Sequence, residues 1–208
     1  MTRKTNGQVP LNSIRWNVQL KTFTTIVLCI LALSSCGKEN VIADGKTFRL
    51  LNQENREVQF PDDYRGNVLV LSFIYTNCPT VCVVTTHSME LLKDRIGDRD
   101  ELLFVSISLD PRRDRPEVLK DFARLRGIDT DQWQFLTGQI GTVDSLCSAT
   151  SVYARKGFIE QGDDGKEYYT IDHSDVVMIV DRDGVVRDRR KGTGLDVEEV
   201  AGKINELL

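Results

Sequence analysis

Residues 68–82 read Val68-Leu69-Val70-Leu71-Ser72-Phe73-Ile74-Tyr75-Thr76-Asn77-Cys78-Pro79-Thr80-Val81-Cys82. The run from Val68 to Tyr75 is rich in β-formers and almost continuously apolar. Such a run suits a strand covered on both faces, as in the middle of an α/β sheet. Pro79 fits the first turn of a following helix, where its missing N–H costs nothing. Residues 80–96 are predicted to form that helix, with Val84, Met89, Leu91, Leu92 and Ile96 at helical spacings and Gly97 as the stop.

Working outward, residues 102–109 read as a second central strand and residues 110–116 as a charged loop. Residues 117–126 form a helical pattern with Val118, Leu119, Phe122 and Leu125 on one stripe. A short strand around Trp133 and Phe135 leads to a helix over residues 139–153, with Ile140, Val143, Leu146 and Cys147 inward. Residues 162–166 read as a turn. Strands follow at 168–171 and 176–180, around the pair Asp172-His173. Asp181 to Gly184 is a hairpin turn signal, with a return strand over 185–187. A final amphipathic helix spans residues 195–208, and two short strands at 47–50 and 57–60 precede the central run. This order predicts one α/β domain with a mixed sheet, parallel in its first half and antiparallel at the later hairpin.

The chain has 208 residues, enough for one core of ordinary size, and its formal charge of −4 argues against a general nucleic-acid binder. The first 35 residues differ from the rest. Their ionisable side chains are the basic Arg3, Lys4, Arg15 and Lys21, followed by the apolar run TFTTIVLCILALSSC. That run is too short and too interrupted by Ser and Thr for a membrane span, and it carries the signature of an export signal. Leu33-Ser34-Ser35-Cys36 resembles the lipobox of bacterial lipoproteins, which implies cleavage before Cys36 and its lipidation. The expected division is a signal over residues 1–35, a tether over 36–45 and one domain over 46–208. Without the leader, Lys and Arg fall from 27 to 23 against 31 Asp and Glu, a formal side-chain charge of −8. Of the five cysteines, Cys78, Cys82 and Cys147 remain as thiols, too few for a disulfide-stapled scaffold.

Cys78 and Cys82 sit where a buried strand enters a helix. As i and i+4 neighbours they would share one face, and the free N–H groups of a helix start stabilise a thiolate, more so at Cys78. Two chemistries suit the pair. One is binding of a soft metal ion, with Cu(I) preferred over Mg or Ca, and Zn possible. The other is dithiol–disulfide exchange, with Cys78 attacking and Cys82 resolving. Two thiols alone do not fill a tetrahedral zinc site. The chain has two histidines, His87 and His173. His87 is turned about 140° from Cys82 on the helix and reads as a surface or packing residue. His173 lies at a break between strands; read from the residues alone it is either a structural histidine or a third donor that a loop or strand edge brings beside the pair. Asp172 beside it is a candidate to orient a ligand.

With these residues in view, the sequence resembles the SCO/SenC family, copper-handling proteins of cytochrome c oxidase assembly. The likeness is carried by FIYTNCPTVCVVTT, VSISLDPRRDRPEVLKDFA, WQFLTG and YTIDHSDVVMIVDRDG. The resemblance implies a thioredoxin-like fold and copper, as Cu(I) or Cu(II), held by Cys78, Cys82 and His173. It implies that Asp110, Pro111, Arg113 and Asp114 belong to a loop near that site. It implies delivery of copper to the Cu(A) centre, on cytochrome c oxidase subunit II or a related acceptor, or reduction of that centre's cysteines. With Cys36, it implies a lipid-anchored protein on the periplasmic side of a bacterial membrane. Val83 departs from the family, which usually has proline there. Cys147 is expected to be a small buried hydrophobe, and Met89 and Met178 to be core residues. The rival reading is an extracytoplasmic thiol-disulfide oxidoreductase acting on cysteines of a partner protein.

Overall fold

The computed structural model describes residues 40–208 apart from Asp164 and Lys166. The expected leader and Cys36 lie outside the described residues. In chain order the elements are β1 Phe48–Asn52, β2 Glu57–Phe60, β3 Val68–Ile74, α1 Val81–Ile96, β4 Leu102–Ser108, α2 Pro116–Arg126 and β5 Trp133–Thr137. They continue with α3 Ile140–Ala149, β6 Ala154–Gln161, β7 Glu167–His173, β8 Val177–Val180, β9 Val186–Arg190 and α4 Val197–Leu207. A seven-stranded sheet has the order β2-β1-β5-β4-β3-β8-β9, and β6 pairs with β7 in a separate two-stranded sheet.

β3, β4 and β5 run parallel, with β3 and β4 in unbroken register from Val68 opposite Leu102 to Ile74 opposite Ser108. β1 joins β5 antiparallel, and β8 joins β3 antiparallel. The expected α/β architecture with a mixed sheet is therefore present. Every residue of β3 is buried, as a strand covered on both faces requires. α1 packs on α4, α2 on β5 and α3 on β1. Trp133, Phe104, Phe135, Met89 and Leu92 are among the fully buried side chains, and Met178 is buried beside them.

Three differences from the sequence expectations have local causes. Val41 bridges to Val185, and Ile42 donates to the Gly184 carbonyl at 2.7 Å, with Ile42 and Ala43 buried. The chain thus docks on the domain from Val41, and residues 41–45 are not a tether. β6 was not expected: its sequence, ARKGFIEQ, is exposed on both faces and forms a strand only because β7 supplies its hydrogen bonds. Its partner β7 reaches His173, which ends a strand and does not sit in a break. On the helices, Val84, Leu91, Ile140 and Leu125 face outward, because each helix covers the sheet with a narrower stripe than the full set of apolar positions.

Met89 anchors α1 with no exposed surface. Met89→Ala is expected to cost about 2–5 kcal/mol of unfolding free energy, read as a lower urea midpoint. Leu125→Ala, at a side chain 72% exposed, should change stability by no more than about 0.5 kcal/mol.

Candidate metal centre

The carboxyl ends of β3 and β4 lie side by side in register, so the segments that leave them emerge together. One carries the cysteines and the other the loop from Asp110 to Asp114. Cys78 N–H donates to the Tyr75 carbonyl at 3.1 Å, folding the chain back as it leaves β3. α1 begins at Val81, one residue later than expected, with Pro79 ahead of it. Cys78 therefore stands just outside the helix and Cys82 in its first turn. They meet all the same, because the Cys82 N–H donates to Cys78 Sγ at 3.3 Å. Thr80, at the capping position, makes no side-chain cap, and the sulfur of Cys78 takes that place. The exposed Val83 stands on this first turn, where the resembling family usually has proline.

This placement separates the two thiols chemically. Both are buried, Cys78 at 7% exposure and Cys82 at 2%. Burial pushes Cys78 up, but the backbone N–H groups of Cys82 and Thr80, with the Cys82 side chain, outweigh it and lower its pKa to about 7. Burial dominates at Cys82 and, with Cys78 and Asp114 nearby, raises its pKa. Cys82 is thus the protonated partner at neutral pH and Cys78 the one that ionises.

His173 arrives from β7. Its Nε2 lies 3.6 Å from Cys82 Sγ. Its Nδ1 lies 2.8 Å from the Ser174 carbonyl, which can only accept, so Nδ1 carries the proton and Nε2 presents its lone pair to the sulfurs. The Tyr75 ring meets the imidazole edge-on at 5.7 Å and 88°. The donor atoms of Cys78, Cys82 and His173 all lie within 4.8 Å of one another. Two sulfurs and an imidazole in a half-dry site are a donor set for a soft ion such as Cu(I).

The expected neighbours divide. Asp114, fully buried, accepts from Thr76 N–H at 3.0 Å, from the Thr76 hydroxyl and from Ser108 Oγ at 2.7 Å. Burial raises its carboxyl above the usual range despite those bonds. It ties the exit of β3, two residues before Cys78, to the exit of β4. Asp110 pairs with Arg113 and accepts from the Tyr169 hydroxyl at 2.8 Å. Arg113 stacks 3.7 Å from the Tyr169 ring and donates to its carbonyl at 3.1 Å, clamping β7 to the loop. Asp172 does not orient the ring. Side chains alternate along a strand, so Asp172 faces away from His173, and the Ser174 carbonyl takes the ring N–H instead. His87 is exposed, with Nδ1 3.3 Å from Glu90, and is outside the site. Cys147 is buried among apolar residues, with its pKa raised to about 12 by burial.

Sequence reading missed Tyr75 and Tyr169 as parts of this site. The period of two was available: Tyr169, Ile171 and His173 share one face of β7. Ile171 N–H donates to the Tyr75 hydroxyl at 3.4 Å.

The sequence pattern of the SCO1/SenC family matches residues 38–208. A SCO1 protein homolog of Bacillus subtilis is 34% identical over 119 residues, covering 55% of this chain and 61% of that protein. The structure of Bradyrhizobium japonicum ScoI with copper bound superposes with a TM-score of 0.68 at 27% identity, over 79% of this chain and 99% of that one. A SCO1/SenC family lipoprotein from Bacillus anthracis gives 0.63 at 26%, over 82% of this chain and 98% of that one.

In the metal-free protein, alkylation by iodoacetamide should label Cys78 first, with a rate that rises with pH to half its maximum near pH 7, where the thiolate forms. Peptide mass spectrometry should find Cys82 and Cys147 labelled far more slowly. Equal labelling of the two neighbours would contradict the asymmetry.

Proposed function

The chain belongs to the SCO1/SenC family, and on that premise we propose that it carries copper on Cys78, Cys82 and His173 and delivers it to the Cu(A) centre of cytochrome c oxidase, on subunit II or a related acceptor. The observation that carries this reading is the convergence of three donor atoms from two distant segments within 4.8 Å. Copper is the cargo. Two sulfurs and one imidazole satisfy Cu(I) at low coordination number, and Cu(II) calls for a further light donor. The copper-bound Bradyrhizobium japonicum relative supports the assignment.

The same reading places the domain outside the cytoplasm. Residues 1–35 serve as the export signal and Cys36 as the lipid attachment point, with a short link to Val41. No helix among the described residues is long and apolar enough to cross a membrane. The Bacillus anthracis relative, a lipoprotein of the same family, supports lipid anchorage.

A second reading is favoured by the thiol asymmetry. Cys78, with its pKa lowered to about 7, suits attack on a disulfide, and Cys82 suits resolution of the mixed disulfide. In that reaction the partner's disulfide becomes two thiols as Cys78 and Cys82 join, a transfer of two electrons. It would keep the acceptor's cysteines ready for the metal.

Titration of the reduced protein with Cu(I) against a chromophoric chelator should give one tight site per chain. Cys78→Ser or Cys82→Ser should nearly abolish it, and His173→Ala should weaken it by about 10-fold or more. Undiminished stoichiometric binding in all three variants would overturn the assignment. A copper-independent reductase assay separates the second reading, since His173→Ala should leave that activity largely intact.

A further inference from the structure

His173 belongs to the two-stranded sheet, and the cysteines to the exit of β3 and the start of α1. Among the described residues no ladder hydrogen bonds join the two sheets. Side chains must therefore set the distance between ring and sulfurs. On the upstream side of His173 the Arg113 stack on Tyr169 does this. The downstream side has its own device.

Asp175, two residues after His173, places its carboxylate between α1 and the loop before α4. Its Oδ1 accepts from Thr85 Oγ1 at 3.1 Å. Thr85 is buried on α1, three residues beyond Cys82 and so on the same side of the helix. Asp175 Oδ2 accepts from Thr193 Oγ1 at 2.6 Å and from Thr193 N–H at 3.1 Å. Space for this arrangement is made at Gly192. A β-carbon there would lie 2.5 Å from Thr85 Cγ2 and Oγ1 and 2.7 Å from Asp175 Oδ1. Gly192 has no left-handed φ, so the close approach alone calls for glycine. Between His173 and Asp175, Ser174 is held on both sides. Its N–H donates to the Tyr153 carbonyl at 2.9 Å, and its Oγ accepts from Tyr153 N–H at 3.0 Å. The Ser174 carbonyl is the group that fixes the His173 ring.

We propose that Asp175 is a positioning residue for copper ligation, holding His173 against Cys82 by latching the Ser174–Asp175 backbone to Thr85 on α1 and to Thr193. This rests on the copper assignment above. Asp175 touches neither the metal site nor its donor atoms; it acts through the carbonyl and backbone that carry the ring. The latch joins the imidazole to the very helix that carries Cys82, so ring and sulfur move as one body.

The test measures Cu(I) affinity by chelator competition for wild type, Asp175→Ala, Asp175→Asn, Thr85→Val and His173→Ala, and for Asp175→Ala combined with His173→Ala. Asp175→Ala and Thr85→Val should each weaken binding by about 10-fold. Asp175→Asn, which keeps an acceptor oxygen for Thr85, should recover part of the loss. Asp175→Ala should add nothing once His173 is gone. X-ray absorption of the copper-loaded Asp175→Ala protein should show a diminished nitrogen shell with both sulfurs retained. Unchanged affinity and nitrogen shell in the single variants, or an equal loss with and without His173, would overturn the proposal. If Asp175→Ala does not fold, Thr85→Val, which exchanges one hydroxyl for a methyl, decides by the same readouts. Failure of the wild-type protein to bind Cu(I) would sink the copper assignment instead. The latch is then judged in metal-free protein by hydrogen exchange at the Ser174 amide, expected to be faster in both variants and overturned if unchanged.

Discussion

The buried carboxylate of Asp114 is the cross-link on which the working end of the molecule depends. A carboxylate stripped of water is costly unless its oxygens are hydrogen-bonded. Here the bonds come from Thr76, which leads to Cys78, and from Ser108, which ends β4. The parallel ladder of β3 and β4 brings those strand ends together, and Asp114 keeps the loops beyond them in fixed relation. Loss of this group would take the carboxylate acceptor from the Thr76 N–H, the Thr76 hydroxyl and the Ser108 hydroxyl at once, at the point where the sulfur pair takes its direction.

From that base the two sulfurs acquire different chemistry, set by hydrogen bonds at Cys78 and by burial, with Cys78 and Asp114 nearby, at Cys82. Among the forces that lower Cys78, backbone N–H groups at an uncapped helix start are foremost, and Cys78 completes the cap. One turn deeper, the same desolvation keeps Cys82 neutral. The site therefore holds one readily ionised sulfur, one reluctant sulfur and an imidazole whose proton is committed to Ser174. Such a set accepts a soft cation with few protons to displace, and it also carries the polarity of a thiol exchange pair. The two proposed roles, metal delivery and cysteine reduction, would draw on the same asymmetry.

Much of this was legible from residue order. The all-apolar run at β3, the proline after Cys78 and the glycine stops gave the alternation of strands and helices. The quoted motifs pointed to Cys78, Cys82 and His173, which the fold brings together. What escaped was tertiary in origin. β6 has no buried face, so no hydrophobic period announces it, and its existence depends on β7. Val84 and Leu91 have helical spacing yet face outward, since periodicity does not give the width of the covered stripe. Asp172 was singled out because it adjoins the histidine in sequence, and Asp175 was passed over. The two-residue alternation of β7 turns it away, while the chain's path past Ser174 carries Asp175 to α1.

The core that assembles the site is built mainly of side chains that bind no metal. Trp133, Phe104, Met89 and their neighbours fill the space between sheet and helices, and Cys78 and Cys82 join the same cluster. Small zinc-folded domains behave otherwise, since their ion is part of the folding free energy and its removal unfolds them. In the proposed role, a carrier built on this plan hands over its load and remains folded, ready for the next. Turnover then demands only an exchange of ligands at a rim, with no cycle of unfolding and repair.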